Sequence, residues 1–178
     1  MAIDTLRGKI VDLTRSDEGN DQASEYARAA ALGFVGGLRS MTPLALLSQL
    51  RSEGEAGSSS NLVGYLNSPA ARIITGLLAA GELVGDKLPA TPSRLSPAPL
   101  GGRIVIGALA GWILCQQTRQ SPLVGALLGA IGAASGSAAG YYARSWLAKV
   151  TKWPDPIFGV VEDLTALGLG YLITRKDD

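Results

Sequence analysis

Histidine is absent from the 178-residue sequence, and cysteine occurs once, as Cys115. The first absence excludes a Ser-His-Asp triad, a His-ligated zinc site and a His-ligated haem. The second excludes an intrachain disulfide and a CxxC redox pair. Charge is also scarce, at 17% of residues against about 25% for an ordinary soluble domain. Neither sign is in excess: 16 Lys and Arg against 15 Asp and Glu leave +1, which argues against nucleic acid as a partner and against an acidic solvating tail.

What the chain has in quantity is apolar and small: 47% hydrophobic residues and 23 glycines. Between Arg119 and Arg144 run 24 residues without a charge, Gln120 to Ala143, enough for the roughly 20 needed to cross hydrocarbon. Four further apolar segments, about 29–48, 70–88, 100–117 and 157–174, each carry a charge within or beside them. Gly and Ala dominate all of them, and no period-two alternation of β-branched residues appears. The expected fold is an all-α integral membrane protein, a Gly/Ala-rich bundle of about five transmembrane helices.

Residues 1–25 do not read as a signal peptide, because five acidic residues fall within the first 21 and no long apolar stretch does. Ile3, Leu6, Ile10 and Leu13 recur at helical spacing, predicting an amphipathic N-terminal helix, cytoplasmic or interfacial, ahead of a transmembrane domain over 26–178. Residues 52–61 read as a flexible linker and 89–99, with four prolines, as a stiff extended loop. In a five-span topology, ten Lys and Arg fall on the N-terminal side and five on the other, predicting a cytoplasmic N-terminus. Tyr141, Tyr142, Trp146 and Trp153 suit an interfacial belt on the same side.

That topology places Arg39 near the midplane and gathers Glu82, Asp86, Arg103 and Glu162 or Asp163 in the inner leaflet. Glu82 and Asp86, four residues apart, share a helix face. Ionisable groups in hydrocarbon cost about 2.5–3.5 kcal/mol each on insertion scales and so face partners or a wet cavity. A cytoplasm-facing polar cavity is expected. Pro43 should break the first helix, exposing backbone groups beside Arg39, Ser40 and Thr42, with Ser135 and Ser137 of the fourth span completing the site. The alternative is an ion-pair network that serves only to fix helix registry.

Small residues recur every four positions in two rows, Gly125, Gly129, Ala133 and Ser137 in one, Gly132, Gly136 and Gly140 in the other, a glycine-zipper pattern for close helix packing. Gly33 and Gly37, and Gly107 and Gly111, repeat it in the first and third spans. Two rows on one span would leave one for a second subunit, predicting a homo-oligomer. An inverted repeat relating spans one and two to four and five is a further reading, although the spacings match poorly.

The stretches Gly37-Leu38-Arg39-Ser40-Met41-Thr42-Pro43-Leu44-Ala45 and Gly81-Glu82-Leu83-Val84-Gly85-Asp86-Lys87-Leu88-Pro89, with Thr91-Pro92-Ser93-Arg94, Pro154-Asp155-Pro156 and Glu162-Asp163, resemble bacterial membrane proteins of the domain-of-unknown-function family numbered forty-one twenty-six. The resemblance covers about residues 26–175. It implies the membrane fold and a place in the bacterial inner membrane, and supplies no substrate.

Three functional classes follow. A transporter or channel would use Arg39 for an anionic group and Glu82, Asp86, Glu162 and Asp163 for protons or cations. A non-catalytic accessory or scaffold subunit would use the glycines for assembly and the charges for pairing. A metal-dependent lipid-headgroup enzyme would hold a divalent ion on Glu82 and Asp86, but no nucleophile or full ligand set accompanies them. The expected reading is therefore non-enzymatic, with no cofactor or resident metal, and with the lipid bilayer and a small solute or ion as partners.

Overall fold

The computed structural model describes residues 2–50, 61–66, 68–85, 96–151 and 155–175. Seven helices account for nearly all of them: α1 (Ala2–Leu38), α2 (Thr42–Leu50), α3 (Asn61–Leu66), α4 (Pro69–Gly85), α5 (Pro97–Gln117), α6 (Pro122–Thr151) and α7 (Asp155–Thr174). The described residues contain no strand. Proline stands at the first or second position of α2, α4, α5, α6 and α7, where its missing N–H costs no hydrogen bond and its fixed φ suits the helix. At its other end α5 closes with Gln120 N–H donating to Cys115 O at 2.8 Å, while Arg119 takes a left-handed φ of 58°, the backbone reversal a helix C-terminus commonly uses.

Among the described residues three helices, α5, α6 and Ile157–Thr174 of α7, are long and apolar enough to cross a membrane. With no strands and these apolar helices, the chain is an all-α membrane protein. The 17-residue α4 falls just short of that length.

The expected interruption of the first span is present, but it sits at Arg39–Met41, just ahead of Pro43, and it reverses the chain rather than kinking it. Position along α7 shows this. Arg28 donates to Ile173 O at 2.6 and 2.9 Å, and Arg39 pairs with Asp163, so α1 and α7 run antiparallel. Between those levels, a Cβ on Gly170 would meet both Val35 of α1 and Leu46 of α2. Leu46 therefore lies back alongside Val35. Pro43 Cγ likewise lies against Gly36, 3.3 Å from where its Cβ would be. α1 and α2 form a helical hairpin whose tip is Arg39–Met41.

This hairpin changes the topology expected from sequence. α4 runs antiparallel to α2, since Glu82 meets Ser40 and Met41 while Thr75 meets Ser48. α5 is antiparallel to α1, with Gly107 beside Gly36 and Arg103 beside Ser40. α6 is parallel to α1: Gly33 faces Gly129, and a Cβ on Gly37 would lie 2.6 Å from Ser137 N. In a strict five-span alternation the first and fourth spans are antiparallel, and the chain ends lie on opposite sides. Here the Arg28–Ile173 contact brings the start of the bundle beside the end of α7. An inverted repeat fails on the same facts, because α1 reverses at Arg39 whereas α6 continues unbroken for 30 residues.

Some boundaries also move. α1 is continuous through residue 25, so the N-terminal helix leads directly into the bundle. Residues 52–60 and 86–95 lie outside the described residues. Pro97 and Pro99, expected in an extended loop, form the first turn of α5.

The glycine rows explain how α1, α5 and α6 pack. A Cβ on Gly107 would lie 2.7 Å from Gly129 O, one on Gly33 2.6 Å from Gly129 Cα, and one on Gly132 2.8 Å from Phe34 N. Backbone meets backbone at each crossing, as small-residue rows permit. Gly125, Gly129 and Ala133 face α5 and α1, and Gly132 and Gly136 face α1. Both rows are thus used inside the subunit, which removes the spare row that suggested a homo-oligomer. Gly140 instead borders an apolar cavity between α1, α6 and α7.

Candidate functional site

A helix that ends inside a protein leaves carbonyls at its C-terminus and N–H groups at the start of the next helix without intrahelical partners. At the tip of the α1–α2 hairpin the bundle supplies those partners. Ser137 of α6 donates its hydroxyl to Gly37 O at 3.1 Å, and Arg39 N–H bonds Val35 O at 2.8 Å. On the other side, Glu82 of α4 accepts Ser40 N–H on Oε1 at 2.8 Å and Met41 N–H on Oε2 at 2.9 Å. One carboxylate thereby holds two successive amides at the positive end of α2, where negative charge is favoured.

Two guanidinium groups complete the layer. Arg103 of α5 donates Nε–H to Ser40 Oγ at 3.2 Å and brings Nη2 within 3.8 Å of Glu82 Oε1. Arg39 pairs with Asp163 of α7. Arg39 is 1% exposed, Arg103 5% and Asp163 8%. Charges so buried persist only when paired and hydrogen-bonded, and here the carboxylates that meet the two guanidinium groups come from two different helices, α4 and α7. Arg39 is the largest fully buried side chain among the described residues.

The sequence candidates divide cleanly. Arg39, Ser40, Glu82, Arg103, Ser137 and Asp163 meet at the tip. Thr42 is buried at the first turn of α2. Of the two α7 acids, Asp163 reaches Arg39, while Glu162 borders the apolar cavity with Arg144. Ser135 is exposed and folds back onto Gly132 O of its own helix, so it takes no part. Asp86 lies outside the described residues. The metal pair proposed on Glu82 and Asp86 also loses a free carboxylate, because both Glu82 oxygens are engaged by backbone. Among the described residues no three potential metal ligands gather.

Along the bundle, the charged layer is not at the end where α1 enters. Eleven residues of α1 separate Arg28 from Arg39, about 16 Å, whereas seven of α6 separate Ser137 from Arg144, about 10 Å. The layer is close to mid-bundle and nearer the end opposite the N-terminus.

Two polar contacts had not been read from sequence. Ser48 and Thr75 hydroxyls share a buried hydrogen bond of 2.9 Å, seven residues on from Met41 and seven back from Glu82. That equal spacing is the signal of an antiparallel pair. Arg28 is held by Glu25 at 2.7 Å and by Ile173 O, and nothing in the local sequence announces the second partner.

The family model described as Domain of unknown function (DUF4126) matches residues 27–175, and the chain belongs to that family. Searches of curated proteins and of solved structures each find no match.

Proposed function

We propose that this member of the DUF4126 family is a transporter or channel for a small solute or ion, and that the hairpin tip with its charged layer is the working element. One observation carries the reading: an irregular stretch of backbone, Arg39–Met41, ends within the helical bundle and is held there by charged side chains of α4, α5 and α7. Non-helical backbone at membrane depth is tolerated where protein or a wet cavity surrounds it, and interrupted helices are where transporters hold substrates and ions. In this reading Arg39 and Arg103 attract an anionic group. Glu82 and Asp163 exchange partners, protons or cations as the hairpin moves. Ser40, Thr42 and Ser137 supply hydroxyls.

The described basic residues favour a cytoplasmic N-terminus. Arg7, Lys9, Arg15, Arg28, Arg72, Arg119 and Arg175 belong to the end of the bundle where α1 enters, and Arg144 and Lys149 to the other end. Seven against two supports an N-terminus on the cytoplasmic face of the bacterial inner membrane. The charged layer then faces away from the cytoplasm.

The accessory-subunit reading draws on a separate observation, that Arg39 with Asp163 and Glu82 with the tip amides already form matched pairs. Proteoliposome flux separates the two. Wild type is expected to carry saturable flux of at least one probe among chloride, phosphate, acetate, potassium and protons. A Glu82→Gln/Arg103→Gln double variant, checked for folding by chromatography and thermal melting, is expected to lose most of it. Undiminished flux in the folded double variant removes the charged layer from the mechanism, and absence of flux in wild type for every probe assigns the accessory role.

A further inference from the structure

A carboxylate that meets two successive backbone amides, one on each oxygen, occupies the place of a small oxyanion. Glu82 does this at the hairpin tip, with Oε1 on Ser40 N–H at 2.8 Å and Oε2 on Met41 N–H at 2.9 Å. These amides stand just ahead of the nine-residue α2. Arg103 stands beside them, 5% exposed, with its Nε–H on Ser40 Oγ. Its Nη2 lies 3.8 Å from Glu82 Oε1, beyond hydrogen-bond reach. The donors therefore belong to the hairpin and to α5, whereas the carboxylate is delivered by a third helix, α4. An occupant carried on its own helix can leave while the donors stay.

Charge decides what takes its place. Among the described residues the layer holds two guanidinium groups, Arg39 and Arg103, and two carboxylates, Glu82 and Asp163, which balance. An anion entering while both acids are ionised leaves one negative charge uncompensated in a buried layer, and that is costly. An anion entering with one acid protonated leaves none. Exposure does not choose between the acids, at 13% for the Glu82 side chain and 12% for that of Asp163. Their partners do. Asp163 is in direct contact with Arg39, whereas Glu82 is held by two neutral amides and by Arg103 at longer range. Protonation takes away the charge that strengthens the bonds from the amides. Of the other ionisable groups nearby, Glu162 borders the apolar cavity with Arg144, and Asp86 and Lys87, which follow Glu82 in the chain, lie outside the described residues.

We infer that the hairpin tip is a binding site for a small monocarboxylate, and that Glu82 is its built-in competitor, released by one proton. The proton goes to the Glu82 carboxylate. The neutral acid leaves the Ser40 and Met41 amides, and the substrate carboxylate takes both N–H groups and the Arg103 guanidinium. One anion and one proton bind together, so the layer stays neutral. A single negative charge suits this exchange and a dianion does not. Two oxygens match the two amides, as a halide cannot. The inference deepens the transport reading and rests on it for passage across the membrane, in which anion and proton move together without net charge. Binding is measured apart from passage.

The test is thermal unfolding of the purified full-length protein in detergent. Formate and chloride are titrated separately at constant ionic strength, at about pH 5.5 and about pH 7.5, where formate stays ionised. Formate is expected to raise the wild-type Tm saturably, with an affinity at least about tenfold higher at the lower pH. Chloride should act more weakly at both. In Glu82→Ala the competitor is gone, so formate should bind equally at both pH values and recover part of the lost stability. Glu82→Gln carries no titrating group there and should also lose the pH dependence, which keeps the test decisive if the alanine variant does not fold. Arg103→Gln should lose the formate response. The proposal is overturned by a wild-type formate response that is absent or equal at both pH values, by an equal response to chloride, by a pH dependence that survives in a folded Glu82 variant, or by an undiminished response in folded Arg103→Gln. Formate uptake into proteoliposomes, driven by a proton gradient and indifferent to membrane potential, then tests passage. Binding in the expected pattern without uptake upholds the site and refutes the transport reading.

Discussion

The two halves of this bundle are held together by opposite means. Where α1, α5 and α6 cross, glycines bring backbones into direct contact, and the side chains packed beside those crossings, Leu32, Ala110, Ile113 and Leu114, are uncharged. Where α2, α4 and α7 meet the hairpin tip, the contacts are long charged side chains reaching for backbone or for one another. In water, both halves would be driven together by apolar burial. Within lipid that drive is absent, because hydrocarbon surrounds the helices whether or not they associate. Cohesion must come from close van der Waals contact or from polar groups that cannot be left unpaired. The glycine half uses the first and can only be rigid. The charged half uses the second, and a charge pair can exchange partners where a backbone crossing cannot.

The largest effect expected from this contrast is in the glycine half. Gly129→Leu places a side chain where Gly107 and Gly111 backbone already stands, and neither helix can yield without parting from α6. A loss of more than about 4 kcal/mol is expected, seen as failure to purify as a monodisperse species. Gly168→Ala, in α7 where a Cβ meets nothing within 4 Å, should instead be neutral or up to about 0.8 kcal/mol stabilising through helix propensity. Similar losses at both positions would end the distinction between the two halves.

Next comes the buried pair. Asp163→Asn leaves Arg39 buried without its carboxylate and should cost about 3–5 kcal/mol. The double variant Arg39→Met/Asp163→Leu removes both charges and fills the space with hydrocarbon, and most of that loss should return. Comparing melting temperatures of the single and double variants isolates the coupling. If the double variant is no more stable than the single, Arg39 has a structural role beyond its charge. Glu82→Gln comes third. An amide has a single acceptor oxygen, so one of the two tip amides loses its partner, at about 1.5–3 kcal/mol.

These residues also show what a sequence can and cannot disclose. The glycine rows were legible, because a four-residue repeat of small side chains has one structural use in a membrane helix. Arg39, Glu82 and Arg103 were legible as a group, since each is too costly in hydrocarbon to stand alone. The choice between Glu162 and Asp163 was not: adjacent residues on a helix differ by about 100° in direction, and only the rotation of α7 selects between them. The reversal at Arg39–Met41 was hidden for a different reason. Pro43 announces that a helix stops, but whether the chain continues or turns back depends on finding partners for the tip amides, and Glu82 lies 42 residues away from Ser40. Once that turn was missed, the alternation of all later helices inverted relative to the N-terminus. Counting basic residues could not repair it, because the count presupposes the number of crossings.

The smallest expected effect makes the finest test. Ser135 and Ser137 lie two residues apart on α6 and looked equivalent in sequence, yet they face different sides of the helix. Ser137 is fully buried and satisfies Gly37 O at the end of α1; Ser135 is exposed and bonds only within its own helix. Ser137→Ala therefore leaves a buried carbonyl at a helix terminus without that hydroxyl and should cost about 1 kcal/mol or somewhat more. Ser135→Ala should change stability by no more than about 0.5 kcal/mol. The hydroxyl of Ser137 also joins the two halves, because it sits on a glycine-row helix and serves the hairpin tip. If its loss slowed flux more than it lowered the melting temperature, the rigid half would be shown to set the position of the mobile one. An effect on stability alone would limit Ser137 to closing the end of α1.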